Sequence, residues 1–243
     1  TRADGTRAPL DMLRLETVIA EACAGLSEVD AQRILNETIK NLYDGVSISD
    51  VNTSMVITAR TLIEQDPNYS YVAARLLLDT LRTEALGFLG VADSATQAEM
   101  THFYPAALGV YIRRGIELEL VAPELAEYDL DRLAQALKPG RDMQFTYLGL
   151  QTLYDRYFIH SDDVRFELPQ IFFMRIFGNQ LLDLVIINLA AMVDQNHPVA
   201  YFFHIVHIVR SKNNGGIVVF VVFLDKIAHF LLHDHIQANG GFV

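Results

Sequence analysis

The feature that most constrains this chain is a series of four amphipathic helical segments in its first 90 residues. In each segment apolar residues recur at the i, i+3, i+4 spacing that places them on one face of a helix. The first segment begins after Asp11, which can cap a helix, and stops at Gly25. Short helices with a single apolar stripe must bury it against one another, so the sequence predicts a small helical bundle. The first stripe consists of Leu15, Val18, Ile19 and Ala22.

Capping residues and terminators predict the limits of the other three helices. Ser27, with Asp30 three residues later, is expected to cap the second helix, and Ser49 the third. The fourth helix is expected to run from about Tyr69 to Leu86. The stripes expected to face the core are Ile34, Leu35, Thr38 and Leu42 in the second helix, Met55, Ala59, Leu62 and Ile63 in the third, and Val72, Leu76, Leu77 and Leu81 in the fourth.

Two short hairpins are predicted in addition to the helices. The Asp-Gly pair within residues 2–6 is typical of a tight hairpin turn, which places a short β-hairpin ahead of the bundle. A second strand pair is expected over residues 158–168, around the polar turn 161–163. Pro169 then suits the first turn of another helix, and residues 170–176 continue it.

Residues from about 94 to 157 predict further helices. Pro105, Pro123 and the Lys-Pro-Gly sequence 138–140 are interpreted as separators between them. A single helix is predicted over residues 142–157 from the periodic positions Phe145, Leu148, Leu153 and Tyr154. The expected fold class is therefore mainly α.

The last stretch, residues 177–243, has a different character and no predicted fold. It contains six of the eight histidines and is dense in apolar residues, with the run 217–224 too short to span a membrane. His204 and His207 are three residues apart, and His229 and His233 are four apart. On a helix, His229 and His233 would share one face and could ligate zinc or iron. No recognised metal motif such as H-E-x-x-H is present, so no metal site is predicted. The alternative is that this tail is an aberrant translation product.

The net charge and the single cysteine argue against some classes of function and of covalent structure. The formal net charge of −11 argues against a nucleic-acid partner, which needs a basic face. Cys23 is the one cysteine, which excludes an intramolecular disulfide and agrees with a reducing cytoplasm. The chain begins at Thr1 without a signal peptide, and we interpret it as a fragment with no predicted membrane segment.

Three stretches carry a resemblance to a known family. The first combines RADG at residues 2–5, NLYDG at 41–45 and YVAARL at 71–76. The second is DMQFTYLGLQTLYDRY at residues 142–157, and the third is ELPQIFFMR at residues 167–175. The first resembles the ATP-cone, and the other two resemble the segment that leads into the catalytic barrel of the large (alpha) subunit of class I ribonucleotide reductase. The resemblance covers about residues 1–176.

The resemblance implies a role in deoxyribonucleotide synthesis, which supplies DNA replication. In this family a thiyl radical and a pair of cysteines reduce ribonucleotides, and a metal-containing small subunit delivers the radical. Those cysteines lie in the α/β barrel, beyond the point where the match ends, so the barrel is expected to be absent and no catalytic residue is predicted. The resemblance implies an oxidoreductase, but Cys23 lies in the cone and the chain as written lacks the catalytic cysteines, so whether this chain is an enzyme stays open.

The resemblance also implies an allosteric site for ATP or dATP at the start of the cone. Its predicted residues are Arg2, Asp4 and Gly5. The family usually has further cations where this chain has Ala3 and Met12, and often has Thr and His where it has Ile48 and Asn52. Cations there would form charge-assisted contacts with phosphates. We therefore interpret the cone as degenerate, keeping the fold and losing most of the ligand affinity.

These observations predict a regulatory part of a ribonucleoside-diphosphate reductase large subunit, catalytically incomplete as written. The expected domains are an ATP-cone at residues 1–92, a helical N-terminal domain at 93–176, and a tail outside the family at 177–243. The implied partners are further large subunits, whose cones associate to switch activity off, and the small subunit. The alternative is a non-enzymatic helical interaction module or a truncated relic.

Overall fold

The computed structural model describes residues 5–177, and these residues are mainly helical. In this part of the chain no helix is long and apolar enough to cross a membrane. Residues 169–177 are also helical. The named elements are α1 (Met12–Cys23), α2 (Ala31–Lys40), α3 (Ile48–Thr61), α4 (Tyr69–Phe88), α5 (Met100–Glu117), α6 (Leu130–Ala136), α7 (Tyr147–Arg156), the 3₁₀ helices Pro123–Glu127 and Pro139–Gln144, and the strands β1 (His160–Ser161) and β2 (Val164–Arg165).

The first helix confirms its sequence prediction in both its cap and its buried face. The Asp11 carboxylate accepts a hydrogen bond from the Arg14 backbone N–H at 2.9 Å, which satisfies one of the free donors of the first turn. Gly25, just past the end of α1, has φ +73°, a left-handed conformation that glycine adopts without strain. The buried residues of α1 are Leu15, Val18, Ile19 and Ala22, the predicted stripe.

The caps of α2 and α3 correct the sequence predictions. The cap of α2 is Asp30 rather than Ser27, and its carboxylate accepts from the Arg33 N–H at 3.0 Å. Ser27 belongs to the preceding turn, where its carbonyl accepts a hydrogen bond from the Asn68 side chain. The cap of α3 is Ser47 rather than Ser49, because the Ser47 hydroxyl both accepts from the Asp50 N–H and donates to the Asp50 carboxylate.

Pro105 does not separate two helices, as the sequence predicted, but lies inside α5. Proline removes the hydrogen bond that its N–H would have donated to the carbonyl four residues earlier, that of Thr101. Both Pro105 and Thr101 are exposed, so water can satisfy that carbonyl. The buried face of α5 continues past the proline, with Tyr104 and Leu108 both fully buried. Burial on one face therefore outweighs the lost hydrogen bond on the other.

The single helix predicted over residues 142–157 is also wrong. The 3₁₀ helix Pro139–Gln144 ends at Phe145, and extended backbone at Phe145 and Thr146 precedes α7. The break lets the Phe145 ring stack on Phe173, with the ring centroids 6.3 Å apart. The shift also changes the buried face, since Leu148 is 75% exposed and Leu150 is fully buried.

The strand pair predicted around residues 161–163 is confirmed. His160 pairs with Arg165 and Ser161 pairs with Val164 in an antiparallel hairpin. Its two turn residues, Asp162 and Asp163, have φ +48° and +65°, the left-handed pair that a two-residue hairpin turn of type I′ requires. The hairpin predicted near the start of the chain falls partly on residues outside the described range. Residues 5–10 contain no strand, and that hairpin stays a prediction.

Two apolar cores share α4 along its length. Residues of α1, α2 and α3 pack with α4 as far as Leu81 to form the first core, which Leu150 of α7 also joins. From Ala85 onward α4 belongs to the second core, built mainly on α5 and completed by Phe166 and Leu168. The long helix is therefore the structural link between the bundle and the rest of the described chain.

Candidate functional site

The predicted nucleotide site lies at the start of the chain, and only one of its three residues is described. Arg2 and Asp4 fall outside the described residues. Gly5 is exposed and has φ +81°, the left-handed conformation expected of the glycine in an Asp-Gly turn. The Asp-Gly turn itself and the positions of the Arg2 and Asp4 side chains stay predictions.

Arg7 is a cation of this region that the sequence reasoning missed. A Cβ atom built on Gly45 would lie 3.6 Å from the Arg7 guanidinium, which places this side chain beside the loop that leads into α3. The segment before α1 therefore contacts the connection between α2 and α3. A second arginine within the first seven residues was the available signal, since the sequence has basic residues at both positions 2 and 7.

The positions where cations or polar ligands were expected carry apolar or neutral side chains. Met12 is the first residue of α1 and is 38% exposed. Ile48 is the first residue of α3 and is 47% exposed. Asn52, one turn later on α3, is partly buried. Exposed apolar groups at two helix starts offer no hydrogen-bond donor to a phosphate.

Both helix starts also carry their own negative charge. The N-terminal end of a helix attracts anions through its free N–H groups and its dipole. In α1 the Asp11 carboxylate already occupies that position, and in α3 Asp50 lies in the first turn. A phosphate would meet these carboxylates as like charges, which weakens electrostatic attraction at the described part of the site.

An open groove of about 410 Å³ lies along α2 and is a weaker candidate. Its lining comes from one helix and its cap, with Lys40 already paired to Glu37 at 2.6 Å and Arg33 bonded to Gln65. A groove on the face of one helix encloses little of a ligand, whereas small-molecule sites bury most of theirs. We assign no ligand to it.

Buried carboxylates in the second core could suggest acid–base chemistry, and Asp142 is the first of them. Asp142 is 2% exposed and accepts hydrogen bonds from the Tyr104 hydroxyl and from the Gln170 amide at 3.2 Å. Burial raises the pKa of Asp142 to about 6, while the hydrogen bond from Tyr104 and the charge of Arg82 act in the opposite direction. With no exposed surface to meet a substrate, Asp142 has a structural role.

Glu167 forms the second buried polar centre. It is fully buried and accepts from the Tyr111 hydroxyl at 2.5 Å, from the Ile159 N–H at 3.1 Å and from two nitrogens of Arg175. Burial and the neighbouring carboxylate raise the pKa of Tyr111. Every oxygen of Glu167 has a partner, so this centre fixes the hairpin and the helical segment 169–177 against α5.

The described residues contain neither a reactive cysteine nor a group of side chains that could hold a metal ion. Burial raises the pKa of the Cys23 thiol to about 11, which keeps it protonated and unreactive at neutral pH. Residues 5–177 bring no three His, Cys, Asp or Glu side chains into a group that could hold a metal ion. The tail residues considered as ligands, His204, His207, His229 and His233, lie outside the described residues.

Comparison with known domain families identifies the first part of the chain. Residues 1–84 match the ATP cone domain family. The matched range covers α1, α2 and α3 and most of α4, the helices that build the first core. The sequence-based resemblance to the ATP-cone is therefore confirmed.

Curated relatives extend the match beyond the cone. The chain is 40% identical over 174 residues to the ribonucleoside-diphosphate reductase subunit alpha of Chlamydia trachomatis, and the match covers 71% of this chain and 16% of the relative. Identity to the corresponding subunit of Helicobacter pylori is 30% over 178 residues, covering 72% of this chain and 21% of the relative. With subunit alpha of the Escherichia coli reductase 1 it is 25% over 166 residues, covering 66% and 20%. The chain thus spans about a fifth or less of the length of the relatives it matches.

Proposed function

Because this chain contains an ATP-cone domain and is similar to the N-terminal region of ribonucleoside-diphosphate reductase alpha subunits, we propose that it is the regulatory and entry part of such a subunit. Its role would be allosteric and oligomeric control of deoxyribonucleotide synthesis in the cytoplasm. The observation that carries the proposal is a match that continues past the cone, over 174 residues in all. The chain holds one cysteine, so the reduction itself requires residues that these 243 positions do not supply.

We propose a division of the chain into a cone at residues 1–92 and a helical domain at 93–176. Most buried residues matched to the cone lie in the first core, which Leu150, Phe158 and Phe172 also join, and the second core is centred on α5 and begins in α4 at Ala85. In this proposal the cone is the part that responds to an effector. The second domain then connects it to the remainder of the subunit.

The cone of this chain is proposed to bind ATP or dATP weakly. What supports this is the exposed apolar pair Met12 and Ile48 at the two helix starts, together with Asp11 and Asp50 beside them. Arg7 is the described cation that could still meet a phosphate there. Hydrogen bonds between a cation and a phosphate are among the stronger polar contacts, so their loss has a large effect on affinity.

Restoring the missing cations tests this proposal. The variant with Ala3→Arg and Met12→Lys is expected to bind dATP at least about tenfold more tightly than the wild type, because a charge-assisted hydrogen bond contributes about 1.5–3 kcal/mol. Isothermal titration calorimetry measures the affinity. Leu13→Lys with Ile57→Arg is the matched control, because Leu13 and Ile57 are 74% and 51% exposed and the two substitutions add the same charge outside the predicted site. An equal gain in the control, or no gain in the variant, would place the nucleotide site elsewhere.

The proposed partners are further large subunits and the metal-containing small subunit. Size-exclusion chromatography of this chain with a full-length alpha subunit, and separately with the small subunit, is expected to give a mixed complex with at least one of them. The same mixtures are also run with the variant that carries Ala3→Arg and Met12→Lys in the presence of dATP, because effector binding would favour association of cones. A chain that elutes alone in every mixture would count against the regulatory role and would favour a relic or an unrelated helical module.

A further inference from the structure

Three charged side chains form a stripe along one face of α4. Arg75, Asp79 and Arg82 are spaced four and three residues apart, which places them on the same side of the helix. Asp79 is 8% exposed and Arg82 is 3% exposed, and Arg75 is partly buried. Charges this deep in a fold are retained only with partners, so their contacts define what the stripe does.

On one side the stripe holds both ends of α1. The Arg75 guanidinium donates to the carbonyls of Ala22 and Ala24, at 3.0 and 2.8 Å, where α1 ends. Near the start of α1, Arg14 pairs with the Asp79 carboxylate at 2.7 Å. A cation on the last carbonyls of a helix also complements its dipole. The position of α1 is therefore tied to α4 through charged contacts as well as apolar packing.

On the other side the stripe holds the 3₁₀ helix Pro139–Gln144. Arg75 donates from two nitrogens to the Met143 carbonyl, at 3.4 and 3.3 Å. Arg82 donates to the Gln97 side chain, whose amide in turn donates to the Pro139 carbonyl at 3.0 Å. This 3₁₀ helix lies outside the range matched to the cone.

Asp79 and Arg82 connect the two sides. Burial lowers the pKa of Arg82, and the negative charges of Asp142 and Asp79 act in the opposite direction. The Arg82 Nε atom is buried and has no hydrogen-bond partner among the described residues, so this side chain has an unused donor. Asp79 is bonded to Arg14, which belongs to α1, and lies three residues before Arg82 on the same face of α4, while Arg82 supports the 3₁₀ helix through Gln97.

We propose that the charged stripe of α4, Arg75, Asp79 and Arg82, is a relay that couples the position of α1 in the cone to the 3₁₀ helix Pro139–Gln144 outside it. When α1 moves and Arg14 leaves Asp79, the buried carboxylate recruits Arg82, because an unpaired buried charge is strongly unfavourable. Arg82 then releases Gln97, and Gln97 no longer holds Pro139. The relay depends on contacts within this chain and not on nucleotide binding, so it can be tested independently of the function proposed above.

Hydrogen exchange on the full chain tests the relay. The Arg141 N–H donates to the Lys138 carbonyl at 2.9 Å and the Phe145 N–H donates to the Asp142 carbonyl at 3.5 Å, so these two amides report on the 3₁₀ helix. Arg14→Met should raise their exchange rates about fivefold to tenfold, the loss of roughly one supporting hydrogen bond. Arg33→Met is the matched control, because Arg33 on α2 makes an exposed hydrogen bond to Gln65 and does not touch the stripe.

A charge-removing second change separates the relay from general destabilisation. In Arg14→Met with Asp79→Asn the buried carboxylate is gone, Arg82 stays with Gln97, and both amides are expected to regain wild-type exchange. Asp79→Asn alone should leave them protected, which keeps the test decisive if Arg14→Met does not fold. Faster exchange that Asp79→Asn fails to reverse, an equal effect of Arg33→Met, or unprotected amides in Asp79→Asn alone would each overturn the relay.

Discussion

The two cores that meet along α4 are built in different ways. In the first core helices pack through apolar stripes, and its fully buried polar groups include Thr38 and Thr58, whose hydroxyls have no hydrogen-bond partner in the described structure. In the second core two tyrosines of α5 are fully buried, and each meets a buried carboxylate. The first core depends mainly on hydrophobic burial, with the part-buried pair Arg14–Asp79 beside it, whereas the second core contains two hydrogen-bonded tyrosine–carboxylate pairs that are themselves buried.

The two cores are therefore expected to respond differently to substitution and to pH. The energy of apolar packing varies gradually with side-chain volume, and apolar side chains do not titrate. A buried carboxylate with a fixed set of donors tolerates neither the loss of a partner nor a change in its own charge. The first region, which is proposed to sense an effector, should therefore tolerate changes of side-chain volume better than the second region tolerates the loss of a charged or hydrogen-bonded partner.

The largest effect is expected where the second core loses its buried ion pair. Glu167 is fully buried and meets Arg175 at 2.6 Å, with the Arg175 side chain 13% exposed. Glu167→Gln is expected to lower the free energy of unfolding by about 3–5 kcal/mol, because it leaves the buried arginine unpaired. Urea unfolding measures the change.

Glu37→Gln provides the matched control for that substitution in the first region. Glu37 pairs with Lys40 at 2.6 Å, but the two side chains are 45% and 67% exposed. Solvent screening limits such a pair to below about 1 kcal/mol. Equal losses for the two variants would mean that the second core is not held by its charged pair, and the comparison between the cores would fail.

A pH effect of intermediate size is expected from Asp142. Burial raises the pKa of Asp142 from its ordinary 3.8 to about 6. Between these values the folded chain keeps a proton that the unfolded chain has released. The free energy of unfolding should therefore fall as pH rises from about 4 to about 6, by about 3 kcal/mol for this group, and this contribution should then level off.

The measurement is the difference between the wild type and Asp142→Asn in urea unfolding across that pH range. The Asn variant lacks the titrating group and keeps an oxygen that can accept from Tyr104. Its stability relative to the wild type should therefore rise with pH over the window. Parallel curves would show that the second core carries no pH-sensitive carboxylate at this position.

The smallest effect concerns the first region and its helix caps. Ser47→Ala should lower the free energy of unfolding by about 1 kcal/mol, because it removes the hydroxyl that accepts from the Asp50 N–H. Ser49→Ala, two residues later on the exposed face, should change it by less than about 0.5 kcal/mol. Thermal unfolding of the two variants compares them directly. The reverse order would restore Ser49 as the cap that the sequence alone suggested.

Sequence reasoning succeeded where the determining contacts are local. The stripe Leu15, Val18, Ile19 and Ala22 is buried as predicted, since helix period alone decides which face is apolar. The hairpin at residues 160–165 was also predictable, because its turn and its strands adjoin in the chain. In the candidate nucleotide site, the apolar residues Met12 and Ile48 could be identified from the sequence, whereas the position of Arg7 beside Gly45 depends on the packing of residues that are far apart in the chain.

Helix period and the order of motifs are local properties of the chain, and they were enough to predict the helical bundle, its apolar faces and the likeness of residues 1–84 to the ATP cone domain. Tertiary packing, by contrast, keeps Pro105 within α5 and interrupts the helix expected over residues 142–157 at residues 145–146. It also decided the partners of Asp142 and Glu167, such as Tyr111, which lies 56 residues away from Glu167. The partner of a buried charge is determined by how whole elements pack together, and no local sequence pattern specifies which element supplies it.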